Sequence, residues 1–120
     1  SADGAAGFIF EIQQGMVDRG ADVEAADDFG RTALTWACQN GHLDCARLLA
    51  VEKGADVDAA SERGVTALMF ACGLDHLEIA RLLLGAGADV HKADPDGNTA
   101  MDAAESDEMK QLLREAGARG

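Results

Sequence analysis

The sequence predicts an all-α solenoid, a row of short helix-turn-helix units stacked side by side and joined by hairpin turns. Three observations predict it. The tetrapeptide Gly-Ala-Asp-Val occurs at 20–23, 54–57 and 87–90, with spacings of 34 and 33 residues. A second phrase recurs between the copies, as Gly30-Arg31-Thr32-Ala33-Leu34, Gly64-Val65-Thr66-Ala67-Leu68 and Gly97-Asn98-Thr99-Ala100-Met101. The third observation is composition: 120 residues with 48% apolar side chains allow one domain, and only four Phe and one Trp force close packing of small residues. One helix pair of this size cannot bury its apolar face alone, whereas stacked neighbours can.

Each phrase has a local reason. The glycine before each Thr supplies a turn backbone that a side chain would obstruct. Thr32, Thr66 and Thr99 then stand where a helix N-cap belongs, each hydroxyl able to accept a backbone N–H. First helices are predicted over 32–40 and 66–74, and second helices over 42–50 and 76–84. In the latter, Leu77, Ala80, Leu83 and Leu84 fall on one face. Gly54 and Gly87 follow the second helices, where a left-handed C-cap is wanted. The Ala-Asp-Val stretch reads as one arm of a turn or hairpin.

The register gives four units in a single domain, at about 1–26, 27–60, 61–93 and 94–120. The first is truncated. The second carries one extra residue near 50–53. The fourth has three residues fewer between its helices, and its second helix is heavily polar, which suits a terminal unit with a wet outer face. The other end differs: Phe8, Ile9, Phe10 and Ile12 have only Ser1–Gly7 to cover them. That apolar end is expected to pack on an upstream segment or to self-associate. The chain opens on Ser rather than Met, which reads as a vector remnant or the cut end of a longer protein.

These phrases resemble the ankyrin repeat over essentially the whole chain. The period, the Gly-x-Thr-x-Leu opening, the starts Gly41-His42-Leu43-Asp44 and Asp75-His76-Leu77-Glu78, and the Leu-Leu…Gly-Ala-Asp-Val ending all match. One departure is consistent. Where the family has Thr-Pro-Leu-His, this chain has Thr32-Ala33-Leu34-Thr35, Thr66-Ala67-Leu68-Met69 and Thr99-Ala100-Met101-Asp102. Losing Pro gives up pre-organisation at the first helical position. Losing His removes a side chain that in this family bonds between repeats. A finer resemblance links Gly30–Cys38 and Asp94–Asp107 to the C-terminal ankyrin segment of acyl-CoA-binding proteins.

Composition and spacing exclude several function classes. With 22 acidic against 10 basic side chains and a net charge of −12, the chain repels a phosphate backbone and an anionic membrane surface. No apolar run reaches the roughly 18 residues of a membrane span. Cys38, Cys45 and Cys72 form neither a disulfide framework nor a zinc motif, and free thiols fit a reducing compartment, cytosol or nucleus. His42 and His76 share a repeat position, which makes them packing residues, and His91 falls in a solvated turn. Glycines follow the repeat period, so none builds a phosphate loop. Neither catalysis nor a metal nor a cofactor is expected. Trp36 and Phe70, at one repeat position, are expected in the core.

The resemblance implies a protein-binding module that uses hairpin tips and the outer faces of the first helices. By position it nominates Asp28, Phe29 and Arg31 from one turn, Glu62, Arg63 and Val65 from the next, and Asp96 and Asn98 from the last. From the ends of first helices it nominates Gln39, Asn40, Gly73 and Leu74. Phe29 is the expected anchor, since an aromatic side chain in an exposed turn is uncommon without a use. The acid excess would steer in a partner with a basic face. Two other uses are compatible with the same module. One is the regulatory or targeting segment of a larger acyl-CoA-binding or enzyme-associated protein. The other is a freestanding inhibitor that docks on an enzyme.

Overall fold

A computed structural model describes residues 29–119. Its elements run α1 (Ala33–Gln39), α2 (Leu43–Arg47), a π-helical turn (Leu48–Glu52), α3 (Ala67–Gly73), α4 (Leu77–Gly85), α5 (Ala100–Ala103) and α6 (Asp107–Arg119). Among the described residues there is no strand, only an isolated antiparallel bridge between Ala60 and Thr66. The expected all-α stack is what forms. Asp28, nominated from its turn, and the apolar cluster Phe8–Ile12 lie outside the described residues.

The first helices start where Thr places them. The Thr32 and Thr66 hydroxyls accept from Thr35 N at 3.4 Å and from Met69 N at 3.3 Å. In the third turn the roles shift: the Asp102 carboxylate accepts from Thr99 N at 2.8 Å. Thr35, Met69 and Asp102 stand where the family has His, and each turns back on its own N-cap. Thr35 Oγ1 pairs with Thr32 Oγ1 at 3.2 Å, and Met69 Sδ accepts from Thr66 N at 3.5 Å.

The first helices form one layer, with α1 against α3 and α3 against α5. The second helices form the other. The core lies between, built from Leu34, Ala37, Cys38, Leu49, Leu68, Ala71, Cys72, Ile79, Ala80, Leu83, Met109 and Leu113. Small residues at the contacts let the layers approach closely. Each fully buried Leu contributes about 1.5–3 kcal/mol. The expected core face of α4 shifts slightly: Ile79, Ala80 and Leu83 are buried, whereas Leu77 and Leu84 are half-buried at its edges.

The extra residue of the second unit has a definite form. Lys53 N donates to Leu48 O at 2.9 Å, a five-residue reach, and the segment 48–52 widens into a π turn. Gly54 still adopts φ +66°, as Gly87 does with φ +97°, so both helix ends close through the left-handed conformation expected there.

Side chains and backbone tie one unit to the next. Glu62 N donates to Phe29 O at 2.9 Å, linking adjacent turn tips. At the opposite side Asp89 N donates to the Asp58 carboxylate at 2.8 Å, and Lys92 Nζ to Asp58 O at 2.9 Å. His76 packs its ring against Gly41, where an added Cβ would come 3.1 Å from Cε1. Asp75 occupies the position equivalent to Gly41 with φ +59°, and its carboxylate accepts from Ser106 Oγ at 2.8 Å.

Candidate functional site: the groove between turn tips and first helices

The turn Ser61–Gly64 closes through Gly64 N to Ser61 O at 2.8 Å, and Asp94–Gly97 closes through Gly97 N to Asp94 O at 2.9 Å. Gly64 takes φ +79°, and a Cβ there would meet Pro95 Cδ at 2.6 Å, so the turns nest closely. Residues of these turns and of the first helices together line a shallow groove. It contains two clefts that share Val65.

The first cleft, about 400 Å³, is lined by Phe29, Arg31, Ser61, Glu62, Arg63, Val65 and Phe70. Phe29 is 61% exposed at its mouth. The Arg31 guanidinium lies 5.1 Å from the Phe29 ring centre and 4.6 Å from that of Trp36. Both distances suit cation–π attraction, which fixes the side chain. The second cleft, about 300 Å³, is lined by Val65, Met69, Asp94, Asn98, Thr99, Asp102 and Ala103. The Asp94 carboxylate accepts from Asp96 N and Asn98 N, both at 2.9 Å. The Asn98 amide above all holds its carboxyl below the ordinary range.

Of the nominated residues, Phe29, Arg31, Glu62, Arg63 and Val65 come together in the first cleft, and Asn98 joins Val65 in the second. Asp96 is exposed at the third tip. The nominees at the first-helix ends line neither cleft. Asn40 Nδ2 donates to Trp36 O at 2.9 Å and closes the end of α1. Gln39 Oε1 is buried with no hydrogen-bond partner. Gly73 and Leu74 are exposed, Leu74 by 50%.

Trp36 and Phe70 are not core residues. Both are half-buried: Trp36 lies beneath Arg31, and Phe70 lines the cleft. The reason is helical phase. Leu34, Ala37 and Cys38 face the core, and Trp36, about 200° round the helix from position 34, packs only against the core's edge. The same phase carries Phe70, the signal by which it could have been recognised.

The thiols are buried. Burial pushes Cys38 and Cys72 up to about 12, and it raises Cys45 with help from the adjacent Asp44 charge. Among the described residues no group of three or more His, Cys, Asp or Glu is placed to hold a metal. None of their helices is long and apolar enough to cross a membrane.

Two layers of short helices joined by turns define a repeat solenoid with clefts between its turns and first helices. A family model for ankyrin repeats in three copies matches residues 5–94 and, in a second placement, 59–119. The chain belongs to the ankyrin-repeat family, whose members generally serve as protein–protein interaction modules. No curated protein matches it.

Proposed function

We propose that this chain is an adaptor module that seats a segment of a partner protein in the groove between its turn tips and first helices. One observation carries the reading: Phe29, Val65 and Phe70 line a cleft whose rim is Arg31, Glu62 and Arg63. Apolar side chains beside charged ones are the arrangement that concentrates binding energy in a few anchors. The net charge of −12 speeds the approach of a partner with a basic face. The buried thiols suit a reducing compartment, cytosol or nucleus. No reaction step and no cofactor is assigned to the chain. The same groove would serve a freestanding inhibitor or the targeting segment of a larger acyl-CoA-binding protein, since each requires recruitment by the module.

The test is site-specific photo-crosslinking in source lysate. A crosslinking residue replacing Val65 should capture a partner, and Phe29→Ala should reduce the yield. One replacing Val51, which is 59% exposed on the π turn, should not capture it. Equal capture from both positions would refute the groove as the binding surface.

A further inference from the structure

The inference rests on the groove-binding reading and specifies what the second cleft accepts. The lining of that cleft comes from the third and fourth units alone. Val65, Met69 and Ala103 supply its apolar part, and Asp94 and Asp102 bring two carboxylates to it. No lining side chain is cationic. The ion pairs of the described residues, Arg47–Asp44 and Arg81–Glu78, involve neither carboxylate.

Each carboxylate is held through one oxygen by the backbone it caps. Asp94 Oδ1 accepts from Asp96 N and Asn98 N, both at 2.9 Å, whereas Oδ2 receives the Asn98 side-chain amide at a long 3.4 Å. Asp102 Oδ2 accepts from Thr99 N at 2.8 Å and from Thr99 Oγ1 at 3.3 Å. Its Oδ1 makes no hydrogen bond among the described residues, and the side chain is exposed. Two negative charges are thus fixed beside apolar side chains, each with accepting capacity on its second oxygen. Little is left to order when a ligand arrives.

We propose that this cleft seats a lysine side chain of the partner segment, its methylenes along Val65, Met69 and Ala103 and its ammonium between Asp94 Oδ2 and Asp102 Oδ1. A long basic side chain suits such a cleft, because its stem buries against apolar atoms while its head stays in contact with charge and water. At about 300 Å³ the cleft lies at the small end of ligand pockets, the scale of one side chain. The acceptors favour Lys over Arg. A guanidinium takes both oxygens of one carboxylate as a fork, and here each carboxylate already spends one oxygen on its own turn. An ammonium is a compact charge with three donors, and it takes single oxygens from two sides. The net charge of −12 draws the same cation in from a distance.

The test is a selection of random twelve-residue displayed peptides on the full chain. Enriched peptides should share a Lys, and one of them is then made with that Lys kept, changed to Arg, or changed to norleucine. Norleucine keeps the stem and removes the charge. It should bind about tenfold more weakly, as loss of a close charge pair implies, and Arg should also bind more weakly than Lys. Asp102→Asn keeps an oxygen for Thr99 N and drops the charge, so on that variant the difference between Lys and norleucine should shrink. Ala103→Met extends a half-buried lining residue into the cleft and should weaken the Lys peptide. Nuclear Overhauser contacts should join the Lys δ- and ε-methylenes to the Met69 and Ala103 methyls. Peptides that seat in the groove without Lys, or that bind equally well with Arg or norleucine in its place, would overturn the inference and leave the groove-binding reading intact. Peptides that shift only amides outside the groove, or a selection that enriches none, would overturn both.

Discussion

Arg31 shares its guanidinium between two rings, and that sharing sets what nearby substitutions cost. Trp36→Ala should destabilise the chain by about 2 kcal/mol, below the roughly 3–5 kcal/mol of a fully buried aromatic residue. Leu83→Ala should cost about 3–5 kcal/mol, since that side chain is fully buried. Urea denaturation of both variants decides it: equal losses would put Trp36 in the core. Phe29→Ala should stay within about 0.5 kcal/mol, as exposed sites usually do. The thiols give a second check at this scale. With Cys38 and Cys72 held near 12, the folded chain should resist iodoacetamide at pH 8 until urea opens it. The unfolded thiols titrate near 9, so the stability from burying them protonated is complete below that value. It is lost as pH rises from 9 towards 12, and chemical denaturation across that range should show the decline.

Turns and helix ends separate steric from conformational costs. Gly64 and Gly97 both adopt positive φ, but a Cβ on Gly64 would strike Pro95 Cδ whereas one on Gly97 meets open space. Gly97→Ala should cost about 1–2 kcal/mol from the left-handed backbone alone. Gly64→Ala should cost at least about 1 kcal/mol more, because the turns must separate. Parallel thermal melts measure the difference. The Asp94 turn is the acid-sensitive one. Its carboxyl lies below the ordinary carboxylate range, so the support it gives is present above that range and lost as pH falls through the lowered value. Amide shifts of Asp96 and Asn98 should report the change, and Asp94→Asn should abolish it.

Much of this level was legible in the sequence. The Thr caps, the positive-φ glycines and the surplus residue near 50–53 all followed from the repeat register. The π turn did not, because a surplus residue can equally lengthen a loop, and only the hydrogen-bond ladder decides. The facing of Trp36 was misread for a related reason. On a seven-residue helix most positions are buried, so periodicity barely marks the half-buried ones. Phe29, Arg31, Glu62, Arg63 and Val65 line one cleft because neighbouring turns stack at equivalent repeat positions. Gln39, Asn40 and Leu74 were not part of it, since the far ends of the first helices lie away from the tips.

Across the whole molecule the excess of acids opposes compaction. The described ion pairs, Arg47–Asp44 and Arg81–Glu78, are exposed pairs at 3.6 Å within single helices and offset little of it. Sodium chloride should therefore raise the melting temperature, because screening weakens like-charge repulsion more than it weakens these contacts. A melting temperature that falls steadily with salt would mean that attractive pairs outweigh the repulsion.

The widened turn at Leu48–Glu52 also separates two quantities that a periodic protein usually locks together, residue count and spatial pitch. The second unit spends one more residue than the third, yet both present Thr caps, left-handed glycines and tip turns at the same phase. A tolerance of this sort acts like an expansion joint in a rail. The length change is absorbed inside the second helix, and the caps and turns on either side keep their form.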